Sequence, residues 1–137
     1  MWIMTPFGIL MPSAIPADAG ISGEWDLQVR SREQRALKHF RKRYMTAGTS
    51  SQVVSTPRLD YEYRFYTRRD AFSDGIAEMI ADIDYDKFKP TTMRKGMGGE
   101  QLHSVYNEMW YSYFRSYSPK YLRPANPTSK PQWWEDR

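Results

Sequence analysis

Between Asp60 and Trp110 the chain reads DYEYRFYTRRDAF, then IAEMIADIDYDKFKP, then LHSVYNEMW: an alternating strand followed by two amphipathic helix patterns. That order limits the fold more than any other part of the sequence. Tyr61, Tyr63 and Phe65 alternate with Glu62, Arg64 and Tyr66, the period of two that a half-buried strand requires. Phe72, Ile76, Met79, Ile80 and Ile83 then recur at i, i+4, i+7, i+8 and i+11, the repeat of a helix with one apolar stripe. Leu102, Val105, Tyr106, Met109, Trp110, Tyr113 and Tyr117 repeat that spacing, which predicts a further helix over about Glu100 to Tyr117.

Upstream, Trp2 to Met11 reads as one buried strand, placed at an edge or bulged because Pro6 cannot donate to a ladder. Ser13 to Glu24 reads as a loop. Trp25, Leu27 and Val29 alternate with Asp26, Gln28 and Arg30, predicting a second strand. Ser31 and Gln34 have capping-box spacing and open a helix to about Met45, with Leu37, Phe40 and Tyr44 on its apolar face. Gln52 to Thr56 reads as another strand, turning at Pro57 toward Tyr61 to Thr67. Thr67 is expected to cap the second helix, with Asp70 in its first turn. Asp84 to Gly99 reads as a polar connection, with the GMGG run as a hinge or loose loop.

These elements predict an α+β protein: a mainly antiparallel sheet of about four strands with three helices on one face. The expected arrangement is ferredoxin-like, with the first strand added at an edge and the third helix packed across. Tyr63, Phe65, Ile76, Ile80, Met109 and Trp110 are expected at the centre of the core. Residues 1–117 form one domain on this reading, since 137 residues suffice for one hydrophobic core and not for two. Residues 118–137 hold Pro119, Pro124, Pro127 and Pro131 and read as an extended proline-rich tail ending near Trp133 and Trp134.

Cysteine is absent, which rules out disulfides and thiolate metal sites and fits a reducing cytoplasm. MWIMTPFGILMP is too short to span a bilayer and lacks the basic flank of a signal peptide, so no membrane is expected as a partner. From Arg32 to Met45 there are six Lys or Arg against the single acid Glu33, and Arg35, Lys38, His39 and Lys42 form one stripe opposite the apolar face. Such a stripe can hold phosphates, or simply serve as the solvated side of a surface helix. The overall charge of +4 is modest for a dedicated nucleic-acid binder.

Asp82, Asp84 and Asp86 have the spacing that opens a calcium loop, but Lys87 and Met93 stand where such a loop needs Gly and Glu. Helix-end and turn acids bonding backbone amides and Lys87 are the plainer reading. The two histidines, His39 and His103, make no local metal motif, and His103 has Asn107 one turn on as a hydrogen-bond partner. GMGG precedes a helix but has neither P-loop nor dinucleotide-binding spacing. No cofactor is expected. Trp133 and Trp134 either fold back onto the domain or anchor a partner.

The strand DYEYRFY, the following IDYDKFK and the later H-x-x-Y-x-x-M-W resemble a widespread group of small bacterial proteins of uncharacterised activity. That group runs as DYxYR, acidic–Y–x–x–FK and HxxYxxMW, and includes actinobacteriophage versions, to which the opening MWIMTPFGILMPS is most similar. The resemblance covers most of residues 1–117 and carries over no catalytic residue. It implies that Tyr61, Tyr63, Arg64, Asp84, Tyr85, Phe88, Lys89, His103, Tyr106 and Trp110 belong together in the fold or its working surface.

The expected function is that of a small, non-catalytic, phage-type protein of the host cytoplasm. It would dock on a host or phage protein complex through Trp133, Trp134, Arg35, Lys38, His39 and Lys42. The alternative is a nucleic-acid binder using the basic first helix, with Tyr66 or Tyr111 as stacking groups. A metal-dependent nuclease or hydrolase using Asp60 and Asp82 to Asp86 has the least support.

Overall fold

A computed structural model of the chain describes residues 1–21 and 23–117. Its elements in order are β1 (Ile3–Thr5), β2 (Gly8–Ala14), β3 (Leu27–Ser31), α1 (Gln34–Tyr44), β4 (Val54–Ser55), β5 (Tyr63–Thr67), α2 (Arg69–Ala81), α3 (Phe88–Thr91) and α4 (Gly99–Tyr117). The proline-rich tail lies outside the described residues.

The strands form one antiparallel sheet in the order β1-β2-β3-β5-β4. β5 lies between β3 and β4, so those two run parallel to each other and α1 crosses between them. This is the first half of a ferredoxin-like arrangement. The place beside β3, which a strand after the second helix would fill, is taken instead by β2 from the N-terminal side. The fold is thus α+β and ferredoxin-like with its edge permuted, and β1 extends that edge by one strand.

The single expected strand over Trp2 to Met11 is two strands, and Pro6 belongs to a turn and not to a bulge. Thr5 builds this turn. Its buried hydroxyl donates to the Gly8 carbonyl at 2.7 Å and accepts from the Phe7 and Gly8 amides at 3.3 and 3.1 Å. Gly8 has φ of 151°, and a Cβ there would sit 2.4 Å from the Ala36 Cβ. Only glycine lets α1 lie this close to the turn. β1 pairs only with Gly8 to Leu10, so Pro12 has a neighbouring strand on one side alone, where a proline is tolerated.

The core is built from Phe7, Leu10, Leu27, Val29, Ala36, Leu37, Phe40, Phe65 and Phe72. α1 covers the Leu10, Val29 and Phe65 side of the sheet, and α2 packs against α1. Of the expected core centre, Phe65 is fully buried, and Tyr63 and Ile76 lie at the margin. Met109 and Trp110 are half-buried on α4, outside the cluster. Ile80 is 60% exposed and Ile83 50%. The reason lies at Gly75, where a Cβ would stand 2.9 Å from the Tyr44 carbonyl oxygen and 3.1 Å from Phe40. α2 turns its Phe72, Gly75, Ile76 and Met79 side to α1, which leaves Ile80 on the shoulder, and the helix ends before Ile83.

The expected caps also differ. Ser31 ends β3, and its hydroxyl accepts from the Glu33 amide at 3.1 Å, while α1 starts at Gln34 without a side-chain cap. Thr67 ends β5 and donates its hydroxyl to the Thr49 carbonyl at 2.7 Å. Both side chains are committed to other hydrogen bonds two or three residues before a helix begins. The first amide of α2, at Arg69, finds its acceptor 43 residues away in the Asp26 carboxylate, at 2.9 Å. GMGG is docked and is not a loose hinge: the Gly98 amide donates to the Pro6 carbonyl at 2.9 Å and the Gly99 amide to the Thr92 carbonyl at 2.7 Å.

Candidate functional site

The basic helix sorts its cations by position. Its apolar face, Ala36, Leu37 and Phe40, is buried, so residues beside that face lie along the protein surface and those opposite it meet solvent. Arg43, on one flank, donates to Asp82 at 2.8 Å, and Tyr44 adds its hydroxyl to the same oxygen at 3.1 Å. These bonds hold the Asp82 carboxyl below the usual carboxylate range. Arg41, on the other flank, donates to Ser50 at 3.1 Å and Gln52 at 3.3 Å and lies over Phe65. Lys38 and Lys42 are exposed on the opposite side, as is Arg35, which donates to the Gly98 carbonyl at 3.0 Å.

His39 leaves that stripe. Its half-buried ring stacks on Phe7 with centroids 4.2 Å apart. Burial lowers its pKa first, and the neighbouring Arg43 and Arg35 lower it further, so it is neutral at pH 7. Of the expected partner-binding residues, the fold therefore brings together Arg35, Lys38 and Lys42 and turns His39 inward. Trp133 and Trp134 lie outside the described residues.

The sheet face away from α1 is the second surface. Strand alternation places Met4, Ile9, Met11, Ser13, Gln28, Arg30, Arg64, Tyr66 and Val54 there, and Trp2 lies just before β1, two residues from Met4. Its two halves differ in chemistry. Across the middle runs a polar row: Gln28 donates to Ser13 at 3.2 Å, and Arg64 donates to Gln28 at 3.0 Å, to Thr56 at 3.1 Å and to the Tyr61 carbonyl at 3.2 Å. Gln28 is 4% exposed and Arg64 8%. Arg30 lies over the Tyr61 ring, 5.0 Å from its centroid. This half bonds largely within itself, although the buried Arg30 Nε has no hydrogen-bond partner among the described residues. The half at the β1 edge is apolar and open, with Trp2 59% and Met4 50% exposed.

A third group lies where α3 and α4 meet. Phe88 packs on Tyr85 and on Tyr106, with centroids 6.2 and 5.2 Å apart, and the Lys89 ammonium lies 4.9 Å from the Trp110 ring centroid. Burial lowers the Lys89 pKa. The Tyr106 hydroxyl reaches the Thr5 carbonyl at 2.7 Å and the Gly8 carbonyl at 3.0 Å, tying α4 to the β1–β2 turn. Asn107 meets the His103 ring at 3.3 Å, the expected one-turn pair. The residues that carry the resemblance thus fall into two places: Tyr63 and Arg64 on β5 with Tyr61 in the bend before it, and Asp84, Tyr85, Phe88, Lys89, His103, Tyr106 and Trp110 on α3, α4 and the turn before them. α3 lies inside what the sequence reads as a polar connection. Its four residues, FKPT, are too short a stretch for helical periodicity to register.

The acids of DIDYD serve the fold through arginines. Asp82 binds Arg43, and Asp84 accepts from Arg94 at 2.8 Å, so Lys87 is not the cation that these two use. Among the described residues no group of three His, Asp or Glu is arranged to hold a metal ion. A concavity of about 640 Å³ runs along one side of α4, past Gln101, Val105 and Met109. Among the described residues α4 alone lines it, so no second element there brings converging polar groups. Among the described residues no helix is long and apolar enough to cross a membrane. Comparison with family models, with curated proteins and with solved structures finds no match to this chain.

Proposed function

We propose that this protein acts by docking on a protein partner, without chemistry of its own, and that the docking surface is the open β1 end of the sheet face away from α1. One observation carries the reading. An antiparallel sheet with one covered face normally presents polar side chains on the other, whereas here Trp2 and Met4 stand 59% and 50% exposed beside Ile9 on an edge strand. A contiguous apolar patch of this kind marks an interaction surface, and a free strand edge adds backbone donors and acceptors to it. Trp is also the residue type that most often dominates a protein interface. A host or phage protein complex in a reducing cytoplasm suits a cysteine-free chain with the phage-like opening MWIMTPFGILMPS. Trp133 and Trp134 remain proposed as a further anchor.

The test is capture from an extract of the native cell, treated with nuclease, using the full chain and two variants. The parent and a variant with Lys38 and Lys42 changed to Gln should retain the same stoichiometric protein, and a Trp2→Ala, Met4→Ser variant should not. Capture that survives loss of Trp2 and Met4 would refute this surface, and capture abolished by nuclease would point to nucleic acid instead.

A further inference from the structure

The exposed side of α1 has no part in that docking surface, and its chemistry suits a different ligand. Arg35, Lys38 and Lys42 project from the side opposite the buried Leu37 and Phe40, and no ion pair among the described residues involves any of the three. Arg35 gives one N–H to the Gly98 carbonyl and keeps its charge unmatched by a carboxylate. By contrast Arg43 is neutralised by Asp82, and Arg41 is engaged with Ser50 and Gln52. At 1.5 Å per residue, Arg35 to Lys42 span about 10 Å. Three cations over that length face the closely spaced negative charges of a nucleic-acid backbone.

We propose that the exposed face of α1 binds the phosphate backbone of nucleic acid, with Arg35, Lys38 and Lys42 each neutralising a phosphate. A nucleic acid fits better than an acidic protein because the row contains no apolar or aromatic side chain. Protein interfaces are built around such a core. Sequence-independent backbone contact needs only placed cations. His39 adds no charge to the row, since its ring is stacked on Phe7 and its pKa is lowered. The ring instead packs α1 against the β1–β2 turn. Cations placed on phosphates carry no sequence information, so binding in this mode is non-specific.

The experiment is fluorescence anisotropy of a labelled 20-base-pair duplex against the full chain, from 20 to 200 mM salt. Each phosphate contact contributes about −0.9 to the slope of log K against log salt. Three contacts predict a slope of about −2.7, or about a 40-fold loss between 50 and 200 mM. The Lys38→Gln, Lys42→Gln double variant should flatten the slope by about 1.8 while keeping the parent's melting temperature. Arg43→Gln should leave the slope as it is, because that guanidinium is spent on Asp82. No binding at 20 mM salt, or a slope that the double variant does not change, would overturn the proposal. Displacement of the duplex by polyglutamate of matched charge would do the same and assign the row to an acidic protein.

Discussion

Tyr106 shows how one side chain holds two parts of this chain together. It is 3% exposed, and its hydroxyl is the donor for two main-chain carbonyls of the β1–β2 turn. Tyr106→Phe keeps the ring packing on Phe88 but leaves those carbonyls without that donor. The expected cost is about 1–3 kcal/mol in urea unfolding. Burial raises the Tyr106 pKa well above the ordinary tyrosine value. A group with a raised folded-state pKa gives stability that is complete below its unfolded pKa and lost as pH rises past it. Stability should therefore hold up to about pH 10, where unfolded tyrosine ionises, and fall above it, with a shallower fall in Tyr106→Phe. Gly75 is a second case. Alanine would gain about 1 kcal/mol of helix propensity there. Against this stands a Cβ 2.9 Å from a backbone oxygen, an overpacking cost of about 1–3 kcal/mol, so Gly75→Ala should lower the melting temperature.

At the scale of elements, α2 separates what periodicity reveals from what packing decides. The spacing of Phe72, Ile76, Met79 and Ile80 predicts the helix, and the helix is there. Which side is buried depends on Gly75 meeting the end of α1, a tertiary contact that no local pattern encodes. Phe72→Ala should cost about 3–5 kcal/mol, as buried aromatic truncations do. Ile80→Ala should change stability by less than about 0.5 kcal/mol. Equal losses in chemical denaturation would mean that α2 is rotated from the position described. β3, β5, α1 and α4 were legible because each repeats its period over several residues, and β4 is the two-residue centre of the strand read over Gln52 to Thr56, whereas α3, with four residues, went unread. The hairpin was misread for a different reason: hydrophobicity continues through its turn, since Phe7 is itself core. The cations of α1 were legible as a stripe. The inward turn of His39 was not, because it depends on Phe7, 32 residues earlier in the chain.

For the whole molecule, charge and apolar surface are placed on different sides. The helix α1 covers one face of the sheet and turns its uncompensated cations outward, while the other face ends in Trp2 and Met4. Among the described residues the central cluster runs from Phe7 to Phe72 and needs no help from the proline-rich tail, so removal of residues 118–137 should leave the domain folded, as a retained cooperative thermal transition would show. The edge of Trp2 and Met4 was hidden in the sequence because both lie in a run that reads as uniformly buried; the strand register places Met4 on the side away from α1, and the exposure of both residues shows only in the fold. A Trp in a partner's pocket contributes about 2 kcal/mol or more, close to 30-fold in affinity. The claim that this edge is the working surface is tested most directly by site-specific photo-crosslinking. Full-length chain carrying p-benzoylphenylalanine in place of Met4 should crosslink one protein in native cells, whereas the same group in place of the equally exposed Ile80 should crosslink none. Crosslinking to the same protein from both positions, or from neither, would contradict the account.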